Sequence, residues 1–580
     1  MRHLGVLLVT ALLAVACSDN SGDTPSASDP ESTTSMPASQ PSSTISDTTT
    51  SSPNRAPDCP PDAFGTESSS KERSSGTATV RRLDHPLLAR VDLQLDDGLY
   101  PLVNLVGPSG TRVLAIPEAP GSEVSLLLAG MRADTAYSIE IELLDADCAP
   151  VERLADLTVT TGSLPVDLPS MSATASEPER MAPGFTLFNL IDLRTDFGAL
   201  DIDDGEIVWY HREDHPIGDT RMLEDGSILF EFNDTAARRI DLEGNVLDEW
   251  AGSIITGRFV LDAHGRQVVG DSPVVVDVDA MHHEHMVLPD GMHATLTTEL
   301  RVLDGFSEPQ CGEDPATFDG TYHLIGDIAV VFDPESGEVL NEFNLFDYFD
   351  PKSDPAAFNL CGLAFDFVFP NWLYRGVDNA ARDWTHANAI EVDEANNALL
   401  VSVRHLDSII ALRWKDDAEG TAGDLLWHSG PLGDLELLTG DWHLHQHAPE
   451  IQPDGSLLVY DNGNNRDGRG SAEAPLYSRA VIYEIDVDAE TISQRWEYRS
   501  KRDDELIFAG FVGDADRLSN GNILITNGGI NGTLDGELSA QIVEVVPSPT
   551  SGGDVVFSFE VNGGPGWIVY RSERVPSAFG

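Results

Sequence analysis

The chain has 580 residues with 41% hydrophobic content, enough to bury a sizeable core and too long for one ordinary domain. Its formal net charge of -62 repels phosphate backbones and argues against nucleic acid as a partner. Lysine is confined to Lys71, Lys352, Lys415 and Lys501, so an arginine set in a cleft of this chain is a candidate anion ligand.

Residues 1–17 predict an export signal. Arg2 and His3 precede LGVLLVTALLAVA, an apolar run too short for a stable membrane span, and no later stretch is long and apolar enough to cross a bilayer. The run ends in AVAC, which resembles a bacterial lipobox. That resemblance implies cleavage before Cys17, lipidation of its thiol, and a membrane-anchored protein of the cell envelope facing outside the cytoplasm. Residues 18–57 are dominated by Ser, Thr, Pro and Asp, cannot bury enough apolar surface to fold, and are expected to form a tether. The remaining cysteines are even in number, and the pairings that stay local are Cys59–Cys148 and Cys311–Cys361. No CxxC occurs, so a thiolate zinc site has little support.

Residues 58–165 hold short alternating strands such as ARVDLQLDD, SEVSLLLAG and AYSIEIELLD between regularly spaced turns. They predict a small β-sandwich, and LLAGMRADTAYSIEIELLD followed by LTVTTGSLP resembles an immunoglobulin- or fibronectin-like domain. Residues 175–580 repeat. A turn followed by an apolar strand with an aromatic residue near its end recurs as DDGEIVWY, LEGNVLDEW, ESGEVLNEF, AGDLLWHS, DAETISQRWEY and GGDVVFSFE. Six copies predict an all-β, six-bladed β-propeller.

A second unit is a hairpin built around a tight turn: RMLEDGSILF, MVLPDGMHATL, IEVDEANNALLVS, EIQPDGSLLVY and RLSNGNILIT. Its phase singles out three side chains. His283 stands seven residues before Asp290, His386 seven before Asp393 and His447 seven before Asp454, with Gly218 and Gly513 at the same phase in the other copies. If this position opens the innermost strand of each blade, the three histidines converge on one mouth of the channel. In DWHLHQH, His443, His445 and His447 alternate, which on a strand puts all three on one face. Repeat phase separates His447 from the other two, which are expected to be channel-wall neighbours.

Three converging imidazoles fit a metal centre, direct acid–base or nucleophilic chemistry on an anion, or hydrogen bonding around a wet channel. The neighbours favour an anion. Asn388 shares the side of His386 if that strand is extended. Arg404 ends the following strand, where the turn returns it to the same mouth. Its planar fork of donors suits sulfate or phosphate oxygens and disfavours a bound dication.

DWTHAN, VSVRH, QHAPEIQPDGSLLVYDNGNNR and YSRAVIYEID, with PGFTLFNL and GEIVWY upstream, together resemble the bacterial arylsulfate sulfotransferase family over most of residues 180–580. The resemblance implies a six-bladed propeller preceded by a small β-domain. It also implies an enzyme that moves a sulfuryl group from a phenolic sulfate ester to a phenolic acceptor without a nucleotide donor or other cofactor. His447 of QHA would be the nucleophile, forming a sulfohistidine in a ping-pong cycle. Arg404, His386 and His283 would hold the sulfuryl oxygens, and Asn388 would orient. The alternatives are a metal-dependent propeller hydrolase using His283, His386 and His447, and a non-catalytic surface propeller that binds a ligand.

Overall fold

The computed structural model describes residues 75–575 apart from 97, 109, 115–121, 193–194, 203–204, 254–268, 308, 310–313, 353–370, 375–380, 465, 467–474, 531–537 and 563–566. The lipobox, the tether, Cys59, Cys311 and Cys361 lie outside the described residues; Cys148, inside them, is disulfide-bonded. The described chain is all-β, its α-helix limited to the single turn Asn371–Tyr374. No helix among the described residues is long and apolar enough to cross a membrane.

Alternating apolar residues build two sheets before residue 161. Gly76–Arg82, Ala89–Leu95 and Glu123–Leu128 form one antiparallel sheet. Gly110–Val113, Tyr100–Gly107, Ala136–Leu144 and Pro150–Arg153 form the other, with Leu157–Thr160 also on Ala136–Leu144. Along ARVDLQL the first, third, fifth and seventh residues are the buried ones. Val91 and Leu93 thereby meet Val103, Ile139 and Ile141 of the second sheet in one core, as period-2 patterning requires.

Six sheets follow in a propeller-like arrangement, each built on four antiparallel strands, with a further strand paired in parallel in the second, third and fifth. The first runs Ser572–Val575, Phe185–Asp192, Thr195–Ile202, Glu206–Glu213. The second runs Ile217–Met222, Ile228–Phe232, Ala236–Ile240, Val246–Gly252. The third is His282–Val287, His293–Asp304, Thr321–Phe332, Val339–Asn344, and the fourth Ala387–Asp393, Ala398–Val403, Ser408–Arg413, Leu425–Ser429. The fifth is His447–Ile451, Leu457–Asp461, Arg479–Asp486, Thr491–Tyr498, and the sixth Asp514–Arg517, Ile523–Ile530, Ser539–Pro547, Gly553–Asn562. The second sequence repeat is the hairpin between the first two strands of sheets two to six, and the first repeat is the fourth strand of all six.

Two pairings tie the ends of this array. Phe185–Asp192 pairs with Ser572–Val575, so the first sheet takes its first strand from the C-terminal end. Ser170–Ala175 adds an outer strand to the sixth sheet on Gly553–Asn562. The aromatic residue of the first repeat has a second job. Trp209, Trp250 and Trp496 donate from the indole Nε1 to the carbonyls of Leu242, Pro334 and Gly552, at 2.8, 2.9 and 2.9 Å. Each acceptor lies in the turn before the fourth strand of the next sheet, so the ring buries apolar area and its N–H staples neighbouring sheets.

Candidate active site

The first strands of consecutive sheets touch one another from Ile217–Met222 through His282–Val287, Ala387–Asp393 and His447–Ile451 to Asp514–Arg517. Each of the first four opens on a register break: between Ile217 and Thr220, His282 and His285, Ala387 and Ala389, and His447 and Glu450. Backbone beside these breaks turns left-handed, with φ of 61° at His283, 48° at His386 and 43° at Ala448. Non-glycine residues avoid this region and bulges re-aim the residues they carry. The consequence is a row of imidazoles turned out of the strand ladder toward one another. At the same phase Gly513 has φ 112°, and the Tyr460 ring occupies the place of a Cβ. Gly218 leaves room for the buried Glu231 carboxyl, which desolvation, then Asp234 and Asp219, push well above the usual carboxylate range.

The rings of His283 and His386 meet edge-on with centroids 5.0 Å apart. His386 in turn stacks on His405 at 4.6 Å. Nδ1 of His386 lies 2.5 Å from Oδ2 of Asp383. The backbone explains why Arg404 and His405 reach this spot. The ladder ends with Ala387 opposite Val403, and the N–H groups of Arg404 and His405 then donate to the carbonyls of His386 and Thr385, at 3.2 and 3.1 Å. From the third sheet, the Asp327 carboxylate accepts from Thr385 Oγ1 at 2.5 Å and Ala387 N at 2.6 Å. It also faces His282 Nε2 at 3.4 Å, and His282 meets His283 Nδ1 to Nδ1 at 2.7 Å. One buried carboxylate thus supports both sides of the histidine pair.

His447 is buried, with Nδ1 2.7 Å from Asn462 Oδ1. Burial, then Arg404, hold its imidazole well below the ordinary histidine pKa, with Arg571 and His386 acting the same way and the Asn462 contact opposing. His283 is depressed for the same leading reason, reinforced by His282, His386, His447 and Arg571. Both rings are therefore neutral at neutral pH.

The two nearby guanidiniums differ. Arg571 donates to Glu284 Oε2 at 2.5 Å, to Asp219 Oδ1 at 3.3 Å and to the Asn388 carbonyl at 3.0 Å, so carboxylates match its charge. Arg404 donates from Nη2 to the Gly510 carbonyl at 2.9 Å, while its Nε has no hydrogen-bond partner. Desolvation pulls its pKa down to about 10 against Asp383 and Asp407, which are themselves engaged with His386 and His445. Neutral imidazoles beside an under-matched arginine make a site for an anion.

Asn388 is buried. Its Nδ2 donates to the Gln446 carbonyl at 2.8 Å and its Oδ1 has no partner. The register break before Ala389 means that Asn388 does not follow His386 along one face of an extended strand. The expected shared face of His443, His445 and His447 is likewise corrected. The strand begins only at His447, and His445 is left-handed with φ 53°. The three side chains enter separate networks. His443 lies between Ser429 Oγ and Gln446 Oε1, each at 3.0 Å. His445 sits on Asp407 Oδ1 at 2.7 Å, and His447 on Asn462.

For a metal, the described residues that bring ligand atoms together are Asp383, His386 and His405, not the trio His283, His386 and His447. Asp383 and His386 already stand at hydrogen-bond distance, closer than two ligands of one tetrahedral ion, and the Arg404 charge acts on His405. This donor set fits a dication poorly. Sequence reasoning missed Asp383, His405, Asn462, Tyr570 and Arg571. Asp383 and His405 stand inside the quoted motifs. Tyr570, whose hydroxyl donates to the His283 carbonyl at 3.2 Å, and Arg571 come from the far end of the chain.

Residues 171–571 match the family model described as Arylsulfotransferase (ASST). Two curated relatives carry the name arylsulfate sulfotransferase AssT. That of Lelliottia amnigena is 31% identical over 146 residues, covering 21% of this chain and 24% of that protein. That of Escherichia coli O6:H1 is 29% identical over 142 residues, covering 21% and 24%. The chain thus spans about a quarter of the length of the curated relatives it matches. Among solved structures, a protein of unknown function from Bacteroides caccae has TM-score 0.33 at 15% identity, over 67% of this chain and 98% of that one. BamB from Moraxella catarrhalis has TM-score 0.25 at 11% identity, over 85% and 98%.

Proposed function

The chain belongs to the arylsulfotransferase family, and on that premise we propose that it moves a sulfuryl group from a phenolic sulfate ester to a phenolic acceptor through His447. The observation that carries this reading is the neutral His447 imidazole beside His283, His386 and the under-matched Arg404. A neutral ring nitrogen keeps its lone pair for attack on sulfur, and the S–O bond to the aryl group breaks as the S–N bond forms. The phenolate leaves, a second phenol takes the sulfuryl group, and kinetics are ping-pong.

Arg404, His386 and His283 hold the sulfuryl oxygens as charge shifts toward the leaving oxygen, a preorganised electrostatic task. Asp383 fixes the ring of His386, and the unpartnered Oδ1 of Asn388 is an acceptor available to a phenol hydroxyl.

The wider reading follows the same line. The six sheets are six blades of one propeller over 175–580, preceded by a small immunoglobulin- or fibronectin-like β-sandwich over 58–165. The chain is exported and anchored to the cell envelope by lipid on Cys17. Cys59–Cys148 and Cys311–Cys361 are its disulfides. The test is release of nitrophenol from nitrophenyl sulfate with phenol as acceptor, with and without a chelator. Wild type turns over in both, and His447→Ala does not. Loss of activity to the chelator favours the metal-dependent hydrolase, and equal slow release by wild type and variant favours the non-catalytic binding protein.

A further inference from the structure

We propose that Asn462 is a positioning residue that locks His447 in the Nδ1–H tautomer, so that Nε2 is the atom that attacks sulfur and carries the sulfuryl group. This rests on His447 being the nucleophile.

The inference starts from the amide. Asn462 is fully buried. Its Nδ2 donates to two backbone carbonyls, Ala509 O at 2.7 Å and Val512 O at 2.8 Å. Carbonyls only accept, so turning the amide over would set Oδ1 against two oxygens. The amide therefore has one orientation, with Oδ1 toward His447 Nδ1 at 2.7 Å. That oxygen also only accepts, so Nδ1 must carry a hydrogen. A neutral imidazole has a single N–H, and burial beside Arg404 keeps the ring neutral. The lone pair is left on Nε2.

The surroundings make the lock rigid. Asp461, the neighbouring residue, is buried and pairs with the buried Arg479 at 2.6 Å. Its carboxylate also accepts from Leu444 N at 3.0 Å, tying down the segment that leads into His447. Ser478 Oγ donates to the Asn462 carbonyl at 2.8 Å. Residues 509–512 of the loop entering the sixth sheet accept both amide hydrogens of Asn462 and, at Gly510, the Arg404 guanidinium. One backbone segment thus sets the nucleophile and the under-matched cation in register.

The step balances. The Nε2 lone pair forms the N–S bond, the S–O(aryl) bond breaks, and its electron pair leaves on the phenolate oxygen. The Nδ1 hydrogen stays on the ring, donated to Asn462 Oδ1, so the sulfated ring is an imidazolium whose positive charge sits beside the sulfuryl group's negative charge. In the return half-reaction an acceptor phenoxide attacks sulfur and the S–N electrons go back to Nε2.

The test is nitrogen–proton correlation NMR on the full chain labelled with ¹⁵N in its histidine rings, the His447 signals being identified by their loss in His447→Gln. The expected result is a hydrogen on Nδ1 and a bare Nε2 in the wild type. Kinetics supply the second arm. Asn462→Ala should lose on the order of 10- to 100-fold in kcat, as orienting partners of reactive imidazoles do, with KM little changed. Asn462→Asp places a carboxylate at Nδ1, which raises the imidazole pKa, so the acid limb of the kcat/KM profile moves to higher pH; a purely structural loss would lower activity without moving that limb. A wild-type His447 with its hydrogen on Nε2, or an acid limb unmoved in Asn462→Asp, overturns the proposal. A sulfuryl group found on His447 Nδ1 overturns it while leaving the nucleophile assignment intact; none on His447 at all removes that assignment as well.

Discussion

Replacing Arg404 with methionine removes a charge and keeps most of the side chain's length. The guanidinium spends Nη2 on the Gly510 carbonyl, and Nε is left without a partner. The carboxylates whose charge acts on it, Asp383 and Asp407, are held by His386 and His445 at 2.5 and 2.7 Å. In the proposed reaction the donors not held by protein are the ones that take the sulfuryl oxygens. Losing a preorganised donor of this kind costs roughly 2.7–4 kcal/mol of transition-state stabilisation, about 10²–10³-fold in rate. Arg404→Lys keeps the charge without the planar fork and should recover part of that loss. The assay is steady-state release of nitrophenol from nitrophenyl sulfate at saturating acceptor, with Tm measured on the same preparations. Because an under-matched buried cation is destabilising in itself, Arg404→Met should melt at the wild-type temperature or above it. A variant within about threefold of wild-type activity, or one that loses activity only as it loses Tm, refutes the reasoning.

Asp327→Ala leaves the Thr385 hydroxyl and the Ala387 N–H without their carboxylate. At about 1–3 kcal/mol for each unmet buried group, urea unfolding should show a loss of roughly 2–6 kcal/mol, together with reduced turnover because His386 sits between those two residues. Stability should also depend on pH in an unusual way. Burial raises Glu391 to about 8 and Glu573 to about 7, so above the ordinary carboxylate pKa the folded chain binds protons that the unfolded chain has lost, and stability falls as pH rises through 7 and 8. Below about 6.5 the histidines act in the opposite sense, His293 being lowered to about 4, since there the unfolded chain binds the extra protons. Urea midpoints should therefore peak near pH 6 to 6.5 and decline by pH 8; a midpoint still climbing at pH 8 contradicts this.

The fold was legible because all six sheets repeat one local signal and sheets two to six repeat a second. The hairpin turns carry Gly226, Gly291, Gly455 and Gly521 with φ between 79° and 88°, and the fourth strands end near a buried aromatic residue. The same phase placed His283, His386 and His447. What stayed hidden came from backbone geometry and distant pairing. A period-2 pattern says nothing about where a strand begins, so it set His443 and His445 on one face with His447 although the chain is irregular until His447. Arg571 contacts Asn388 across 183 residues and Glu284 across 287, because the last strand returns to the first sheet. Glu231 belongs to a second strand, and its carboxyl takes the space beside the first strand only because Gly218 has no side chain. Asn462 stands sixteen residues into the quoted QHAPEIQPDGSLLVYDNGNNR motif, and only its two carbonyl partners reveal that its amide oxygen is fixed toward His447.

The most direct test of His447 as the carrier of the group is to expose the protein to an aryl sulfate without acceptor, quench at alkaline pH and weigh the peptide containing His447. A mass gain of one sulfuryl group that is lost on acidification or on adding phenol, and that never forms in His447→Ala, is the predicted result. Turnover of the sulfate ester with the His447 peptide unmodified throughout, or with the group on another residue, contradicts it.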